Sequence, residues 1–412
     1  MPLTAKQTEY LQNCSHRWNV KTGATGSGKS FVDYTVVIPK RLLSARGEGL
    51  LVLLGNTKGT LERNILDPMR EVWGPELVGN ISSDNTVKLF GKKVYALGAD
   101  NKKHVARIQG ATFEYVYGDE VTTWSEDVFS MLKSRMRCRH SCFDGTCNPD
   151  SPQHWFKKFL DSDADIFQQS YTIDDGALPS DVVAELKKEY SGTVYYNRFI
   201  LGQWMAAEGV IYRLFADDPK RFLWPEEKPL KLQRVQIGVD FGGNGSGHAF
   251  AATGTLPGYA GVVGLMSRKM DAKGTDEAAL SRAFLEFAEA VFLNWGEIHA
   301  VYCDSAEQVL KNSLRSAALR SRFAWLADRI YNSRKIEITD RIRLTSILMG
   351  SERFWYLPTA ATLRDALSAA LWSGKHPGKD ERLDDGTTDI DTLDAFEYTI
   401  ERDYQRYLRL TT

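Results

Sequence analysis

The sequence has no apolar run long enough to span a bilayer. It also lacks the apolar stretch behind a basic N-terminus that a secretory signal needs, so a cytosolic protein is the expectation. It has no excess of one charge: 52 Lys and Arg stand against 53 Asp and Glu, a net of −1. Global charge therefore does not announce a nucleic-acid partner, and any basic surface has to be local. Cysteine is scarce and odd in number, five in 412 residues, which reads as reduced thiols rather than a disulfide framework. Cys138, Cys142 and Cys147 lie near His154, but their spacing fits none of the common zinc patterns and reads as core and loop thiols. Internal repeats and low-complexity tracts are missing too. The remainder is an ordinary globular composition, 43% hydrophobic and 25% charged, with chain enough for two cores.

Against that background one stretch stands out. Gly23-Ala24-Thr25-Gly26-Ser27-Gly28-Lys29-Ser30 fits the phosphate-cradling pattern GxxxxGK[ST]. Arg17 to Val20 before it reads as a strand, and Phe31 to Ile38 after it as a helix. Glycines let backbone N–H groups close around phosphates, and a helix N-terminus adds a favourable dipole. In such a loop Lys29 reaches the β- and γ-phosphates and Ser30 ligates Mg²⁺.

The first two hundred residues alternate strand-like and helix-like segments, which predicts a parallel sheet covered by helices. Gly49 to Gly55 reads as a buried strand, Thr60 to Trp73 as a helix, and Val87 to Leu97 as a hairpin. Phe113 to Gly118 is an apolar strand that ends in Asp119 and Glu120. In a nucleotide hydrolase the first acid holds the Mg²⁺ shell and the second orients and deprotonates the attacking water. Beyond it Lys133, Arg135, Arg137, Arg139 and His140 form a basic run, read either as a solvated helix face or as arginine for transition-state charge or the DNA backbone. Thr146-Cys147-Asn148-Pro149 closes a further strand, where Asn148 could sense a γ-phosphate. Proline and charge thicken between Ala206 and Arg234, so the expected organisation is a domain over 1–205, a linker over 206–232 and a second domain over 233–412.

The second domain holds another constellation. Arg234 to Asp240 is a strand that delivers a carboxylate into Phe241-Gly242-Gly243, and Glu297 to Asp304 ends in another. Asp389, Asp391 and Asp394 open a stretch that reads as a helix near the C-terminus. Carboxylates from two strand ends and a later helix suit two Mg²⁺ or Mn²⁺ ions about 4 Å apart, which activate water on a phosphodiester. His248 is a further metal candidate, set against an ordinary strand histidine.

In this order the motifs resemble the large terminase subunit of tailed bacteriophages, the motor-nuclease that packages DNA, over nearly the whole chain. Gln7, in Thr4-Ala5-Lys6-Gln7, lies where that family has an adenine-reading glutamine. Arg107-Ile108-Gln109-Gly110 with the following acidic strand, and Thr146 to Pro149 with the aromatic-basic segment from His154-Trp155, are similar to the family's ATPase and coupling motifs. Gly238 to Gly242, Asp304 to Glu307 and Asp391-x-x-Asp394-Ala395-x-x-Tyr398 match its nuclease motifs. The resemblance implies an α/β chain with an N-terminal P-loop ATPase domain of RecA type and a C-terminal RNase H-like nuclease domain. It implies ATP and Mg²⁺ in the first and two Mg²⁺ or Mn²⁺ ions in the second. Glu120, Asp240, Asp304 and Asp391 would be catalytic, with Asp394 a further metal candidate; Asp391 is preferred because relatives place the ligand three residues before the Asp-Ala pair. The implied partners are double-stranded DNA, a small terminase subunit and the portal of a procapsid, on which the chain forms a homo-oligomeric ring. The implied location is the host cytoplasm, transiently at that portal and outside the mature virion. Many relatives carry an arginine inside the phosphate loop, whereas here Ala24, Thr25 and Ser27 fill the variable positions, so Arg135, Arg137 and Arg139 are the finger candidates. The rival reading is a helicase-like DNA-dependent ATPase whose RNase H-like domain is not catalytic.

Overall fold

Strands buried along both faces need helices on both sides, and that is how the first half of the chain is built. The computed structural model describes residues 3–99, 110–176, 178–242, 246–376 and 379–408. Arg107, Ile108, Gln109 and Gly243 lie outside the described residues. Two compact units emerge: the first holds the chain up to Ala184 with Val194–Ala206, and the second holds Glu185–Thr193 and nearly everything from Ala207 on.

The first unit contains β1 (Trp18–Gly23), β2 (Leu50–Gly55), β3 (Thr86–Leu89), β4 (Lys92–Gly98), β5 (Phe113–Gly118), β6 (Cys142–Cys147) and β7 (Ile166–Tyr171). They form one sheet in the order β3-β4-β2-β5-β6-β1-β7, parallel except for the β3–β4 hairpin. Phe90 and Gly91 turn that hairpin with positive φ at both positions, which matches the twist of the paired strands. Crossovers return every parallel strand in the same direction, so the C-terminal ends of β1, β2, β5 and β6 share one edge. The helical run after β1 starts at Lys29 and ends at Ser44, with a π-helical turn at Asp33–Val37.

The second unit contains β8 (Arg234–Asp240), β9 (Gly247–Thr255), β10 (Val262–Asp271), β11 (Ile298–Cys303), β12 (Ile330–Asn332) and β13 (Phe354–Tyr356), in the order β12-β11-β8-β9-β10-β13. β8, β9 and β10 form an antiparallel meander, and β11 and β12 add in parallel beside β8. This is the RNase H-like arrangement. Phe284, Phe287 and Val291 of the helix Glu277–Trp295 share a buried core with Val239 and Phe250. The helix Ile390–Ile400 lies against β8, so close at Gly238 that a Cβ there would run into the carbonyl oxygen of Ala395.

The segment expected as a linker is folded. Tyr212, Phe215, Phe222 and Trp224 are buried, and Val210 and Leu223 make β-bridges with Leu371 and Tyr356 in the second unit. The aromatic residues scattered among its prolines and charges carry that burial. Of the described helices none is long and apolar enough to cross a membrane.

Because Ala395 directly follows Asp394 and lies about one helical turn after Asp391, the Gly238–Ala395 approach sets the depth of both acids. Gly238→Ala should cost about 1–3 kcal/mol through overpacking, read as a lower melting temperature. Ala252, on the neighbouring strand, tolerating Gly with a smaller loss would serve as the comparison; an unchanged Gly238→Ala melt would count against the close contact.

Candidate active sites

In the first unit the phosphate loop turns through positive φ at Gly23, Gly26 and Gly28 (131°, 69° and 79°), backbone that side chains other than glycine rarely take. A Cβ on Gly28 would meet Gln7 Nε2 at 2.8 Å. Gln7 is tied in place twice: its Oε1 accepts from the Thr4 amide at 2.9 Å, and its Nε2 donates to the Gly28 carbonyl at 3.0 Å. The remaining loop residues, Ala24, Thr25 and Ser27, are held to the loop's surroundings, with Ala24 N donating to Tyr171 O at 2.8 Å, Thr25 N to Phe199 O at 3.1 Å and Ser27 Oγ to Ala24 O at 2.7 Å. Ser30 follows Lys29 at the start of the helix.

Lys29 is buried under this loop. Its ammonium donates to the carbonyls of Gly23 (2.9 Å) and Ala24 (2.5 Å) and to Asn148 Oδ1 (3.2 Å). Burial pulls it down to about 8 against the pull of Cys147, Asp119 and Glu120. Asp119 stands at the end of β5, its Oδ1 accepting from Thr146 Oγ1 at 3.0 Å and its Oδ2 from Asn64 Nδ2 at 3.2 Å. Burial raises this carboxyl, and the two hydrogen bonds work the other way. Glu120 next to it adopts φ 52°, ψ 48°, left-handed backbone that costs a residue with a Cβ about 1 kcal/mol or more. Its amide donates to Thr146 Oγ1 at 3.4 Å, so one threonine serves both acids.

The arginine candidates are elsewhere. The helix Glu126–Arg135 runs back from the C-terminal end of β5, and the chain then enters β6 at its N-terminal end. Arg135, Arg137 and Arg139 thus lie at the sheet edge opposite the phosphate loop. Arg137 there donates to the carbonyls of Gly110 and Ala111 at 3.3 Å each. None of the three is brought to the loop of its own chain. Cys142 and Cys147 also sit at opposite ends of β6, too far apart for one ligand sphere.

In the second unit Asp240 ends β8 and Asp304 follows β11, side by side on parallel strands, with Asp304 N donating to Val239 O at 3.0 Å. Asp389 caps the helix Ile390–Ile400 by accepting from Thr392 N at 3.1 Å, and Asp391, Asp394 and Tyr398 follow on one face. All four acids, Asp240, Asp304, Asp391 and Asp394, line a cleft of about 790 Å³ with Tyr398, Lys269 and Lys335. Among the described residues no three acidic, cysteine or histidine side chains form a tight ligand cluster. Cations explain the spread. Lys335 holds Asp304 Oδ1 at 2.5 Å, and Lys269 holds Asp391 Oδ2 and Asp389 Oδ1 at 2.8 Å each. Arg382 and Arg341 hold Asp394 Oδ1 at 2.6 and 3.1 Å. Asp240 accepts from Tyr398 OH at 3.0 Å. Burial first, then the charges of Asp394, Asp304 and Asp391, push its carboxyl up to about 8. His248 Nδ1 accepts from Gly242 N at 3.1 Å, and burial lowers its pKa, so the neutral ring carries its proton on Nε2.

Residues 22–216 match the family described as terminase large subunit, T4-like-virus type, N-terminal. Over these residues, a little under half of its length, the chain is similar to the terminase large-subunit family. The large terminase of a thermophilic bacteriophage is similar in fold to this chain: in one crystal form the TM-score is 0.81 at 21% identity, over 98% of this chain and 99% of that one. Crystals of the same phage protein with ATP-γ-S and with ADP give 0.77 and 0.78, at 21% and 22% identity, over 97% of this chain and 99% of each. No curated protein matches.

Sequence reasoning did not single out Asn64, Lys269 or Arg382 for these sites. Arg341 is buried against Asp394, and Arg343 donates to Tyr190 OH at 2.6 Å. Only register and helix packing bring such partners together.

Asp240's raised pKa has a sign. Its contribution to stability is fully present below about pH 4, the unfolded carboxyl range, and is lost as pH rises through about 8. In chelating buffer the melting temperature should fall more steeply from acid to pH 8 in the wild type than in Asp240→Asn. Parallel slopes would remove Asp240 as the titrating group.

Proposed function

We propose that this chain is a DNA-packaging motor with a nuclease attached: the first unit hydrolyses ATP to drive double-stranded DNA into a procapsid, and the second cuts concatemeric DNA. The observation that carries the reading is the pairing, within one chain whose first half is similar to the terminase large subunit, of Lys29 beside Asp119 and Glu120 with the cleft of Asp240, Asp304 and Asp391. The thermophilic phage relative, solved with ATP-γ-S and with ADP, supports the choice of nucleotide.

The residues present fit both cofactors. At the loop, three glycines in left-handed backbone leave room for phosphates, and Lys29 would exchange the carbonyls of Gly23 and Ala24 for phosphate oxygens. Ser30 and Asp119 would hold Mg²⁺, which supplies positive charge to the phosphates. Glu120 would take the proton of the attacking water, its side chain aimed by the left-handed backbone. Thr146 touches both acids and Asn148 touches Lys29, so a change at the phosphates reaches β6 directly. Gln7 braces the loop from the side where an adenine would be read. In the cleft, Asp240, Asp304 and Asp391 offer the hard oxygens that Mg²⁺ or Mn²⁺ prefers. Two such ions would supply an activated water and charge for the leaving oxygen. Asp394 is the weaker ligand, because two buried guanidiniums already hold it.

Arg135, Arg137 and Arg139 lie away from the loop of their own chain, so the transferring phosphate they would serve is that of a neighbouring copy. That placement favours a homo-oligomeric ring on the portal, with a small terminase subunit as the DNA-recognising partner. The place of work is the host cytoplasm at the procapsid portal, and the chain is left outside the mature virion.

Loss of a general base costs about 10²–10⁴-fold, so Glu120→Ala should lower ATP turnover by at least that, and Lys29→Ala should abolish it. Turnover in Glu120→Ala equal to the wild type would remove Glu120 from the base role. The nuclease is tested on supercoiled plasmid with Mn²⁺. Wild type should nick and linearise it, and folded Asp304→Ala should leave it intact. Cleavage by both would place the chemistry elsewhere, and cleavage by neither, beside DNA-stimulated ATP turnover, would favour the helicase-like reading.

A further inference from the structure

The two lysines of the carboxylate cleft differ from its two arginines. Arg341 and Arg382 are enclosed, their side chains 10% and 5% exposed, and they grip Asp394 together with the buried Glu397. Lys269 and Lys335 stand at the rim, 32% and 39% exposed, on flexible stems. Yet the fold aims both of them inward. Lys335 takes φ 50°, left-handed backbone for a residue with a long side chain. It is forced there by the buried carboxylate of Glu401, which accepts from the amides of Arg334, Lys335 (3.0 Å) and Ile336 (3.2 Å). The stem of Lys269 crosses Gly247, where a Cβ would meet Lys269 Cε at 2.7 Å. The Gly247 amide itself donates to Asp391 Oδ2 at 2.9 Å. Two unrelated devices therefore bring an ammonium to each of two acids.

We propose that Lys269 and Lys335 are resident counter-cations of this cleft, positioning residues that hold Asp391 and Asp304 in place and compete with divalent ions for them. The inference rests on the reading of the cleft as a metal-dependent nuclease. Without a cation the acids repel one another, and the lysines relieve that repulsion. A divalent ion binding the same oxygens has to displace them, and a half-exposed ammonium can swing into water where an enclosed guanidinium cannot. The lysines thereby raise the metal concentration at which the cleft loads, and they keep it assembled until then.

The test is Mn²⁺ binding by the full chain, followed by calorimetry and by the electron-spin resonance of free Mn²⁺, with melting curves in chelator alongside. Lys269→Met and Lys335→Met remove the charge and keep the stem, and Gln replacements serve if a Met variant misfolds. Ion pairs of this exposure are modest, so each variant should bind Mn²⁺ about two- to fivefold tighter. Each should also melt lower in chelator and gain more from Mn²⁺, while Lys→Arg should behave as wild type. Folded neutral variants that bind Mn²⁺ no tighter than wild type would overturn the proposal, whatever their stability. No Mn²⁺ binding by the wild type, or unchanged binding by Asp391→Asn, would instead overturn the metal-site reading on which the proposal stands.

Discussion

Carboxylates gathered at one strand edge repel one another, and the second unit is organised around that repulsion. Each acid is relieved in its own way. Asp240, buried at the end of β8, keeps a proton up to about pH 8. Asp304 and Asp391 face ammonium groups. Asp394 and the fully enclosed Glu397 share two guanidiniums and, for Glu397, the hydroxyl of Tyr212 at 3.1 Å. These counter-charges differ in how readily they are given up. A proton leaves to solvent and a lysine at the rim swings away, but an enclosed arginine stays. On the proposed reading, the three acids with releasable partners would form the part of the cleft that turns to an incoming ion. The fourth acid belongs to the scaffold beneath it.

The first unit meets the same constraint with the sign reversed. There one cation, Lys29, is taken out of water and wrapped in carbonyl oxygens and Asn148. Its partners are dipoles rather than carboxylates, which leaves the ammonium under-compensated and lowers its pKa. A polyanion at the loop would restore what burial removed. Asp119 shows the complement: raised by burial, it is tethered by Thr146 and Asn64 rather than paired with a cation. Both groups are thus held in the site by neutral hydrogen bonds, which cost little to exchange.

Legibility in the sequence followed locality. The phosphate loop is eight consecutive residues, and its strand, glycines and helix are neighbours along the chain, so pattern alone placed it. Asp119 and Glu120 were readable because an apolar strand must end where its acids begin. The acids of the second unit come from two strands and a distant helix, and motif order, rather than any spacing, connected them. Failures came where direction or register decides. The basic run at Arg135, Arg137 and Arg139 gave no sign of which sheet edge it would reach, since that depends on a helix running antiparallel to the strands. Prolines and charges made 206–232 read as a linker although Phe215, Phe222 and Trp224 bury themselves. Lys269 was invisible because its partner is set by the β9–β10 register and by how deep a helix sits over Gly238.

One further interaction fixes the geometry of the phosphate loop from below. Lys21 lies two residues before Gly23, and Asp33 lies on the helix beyond the loop; their charged groups meet at 2.7 Å with neither side chain exposed. The Lys21 ammonium also stands 3.7 Å from the ring centre of Tyr10, and Tyr117 OH donates to Asp33 at 3.3 Å. Burying both charges is costly, and an apolar pair of the same size would often be no less stable. What an apolar pair would not do is fix the separation of strand and helix at one value. The helix opens into a π-helical turn from Asp33 onward, so its register against β1 is not set by regular packing. A directional ion pair at that point ties the strand before the loop to the helix after it.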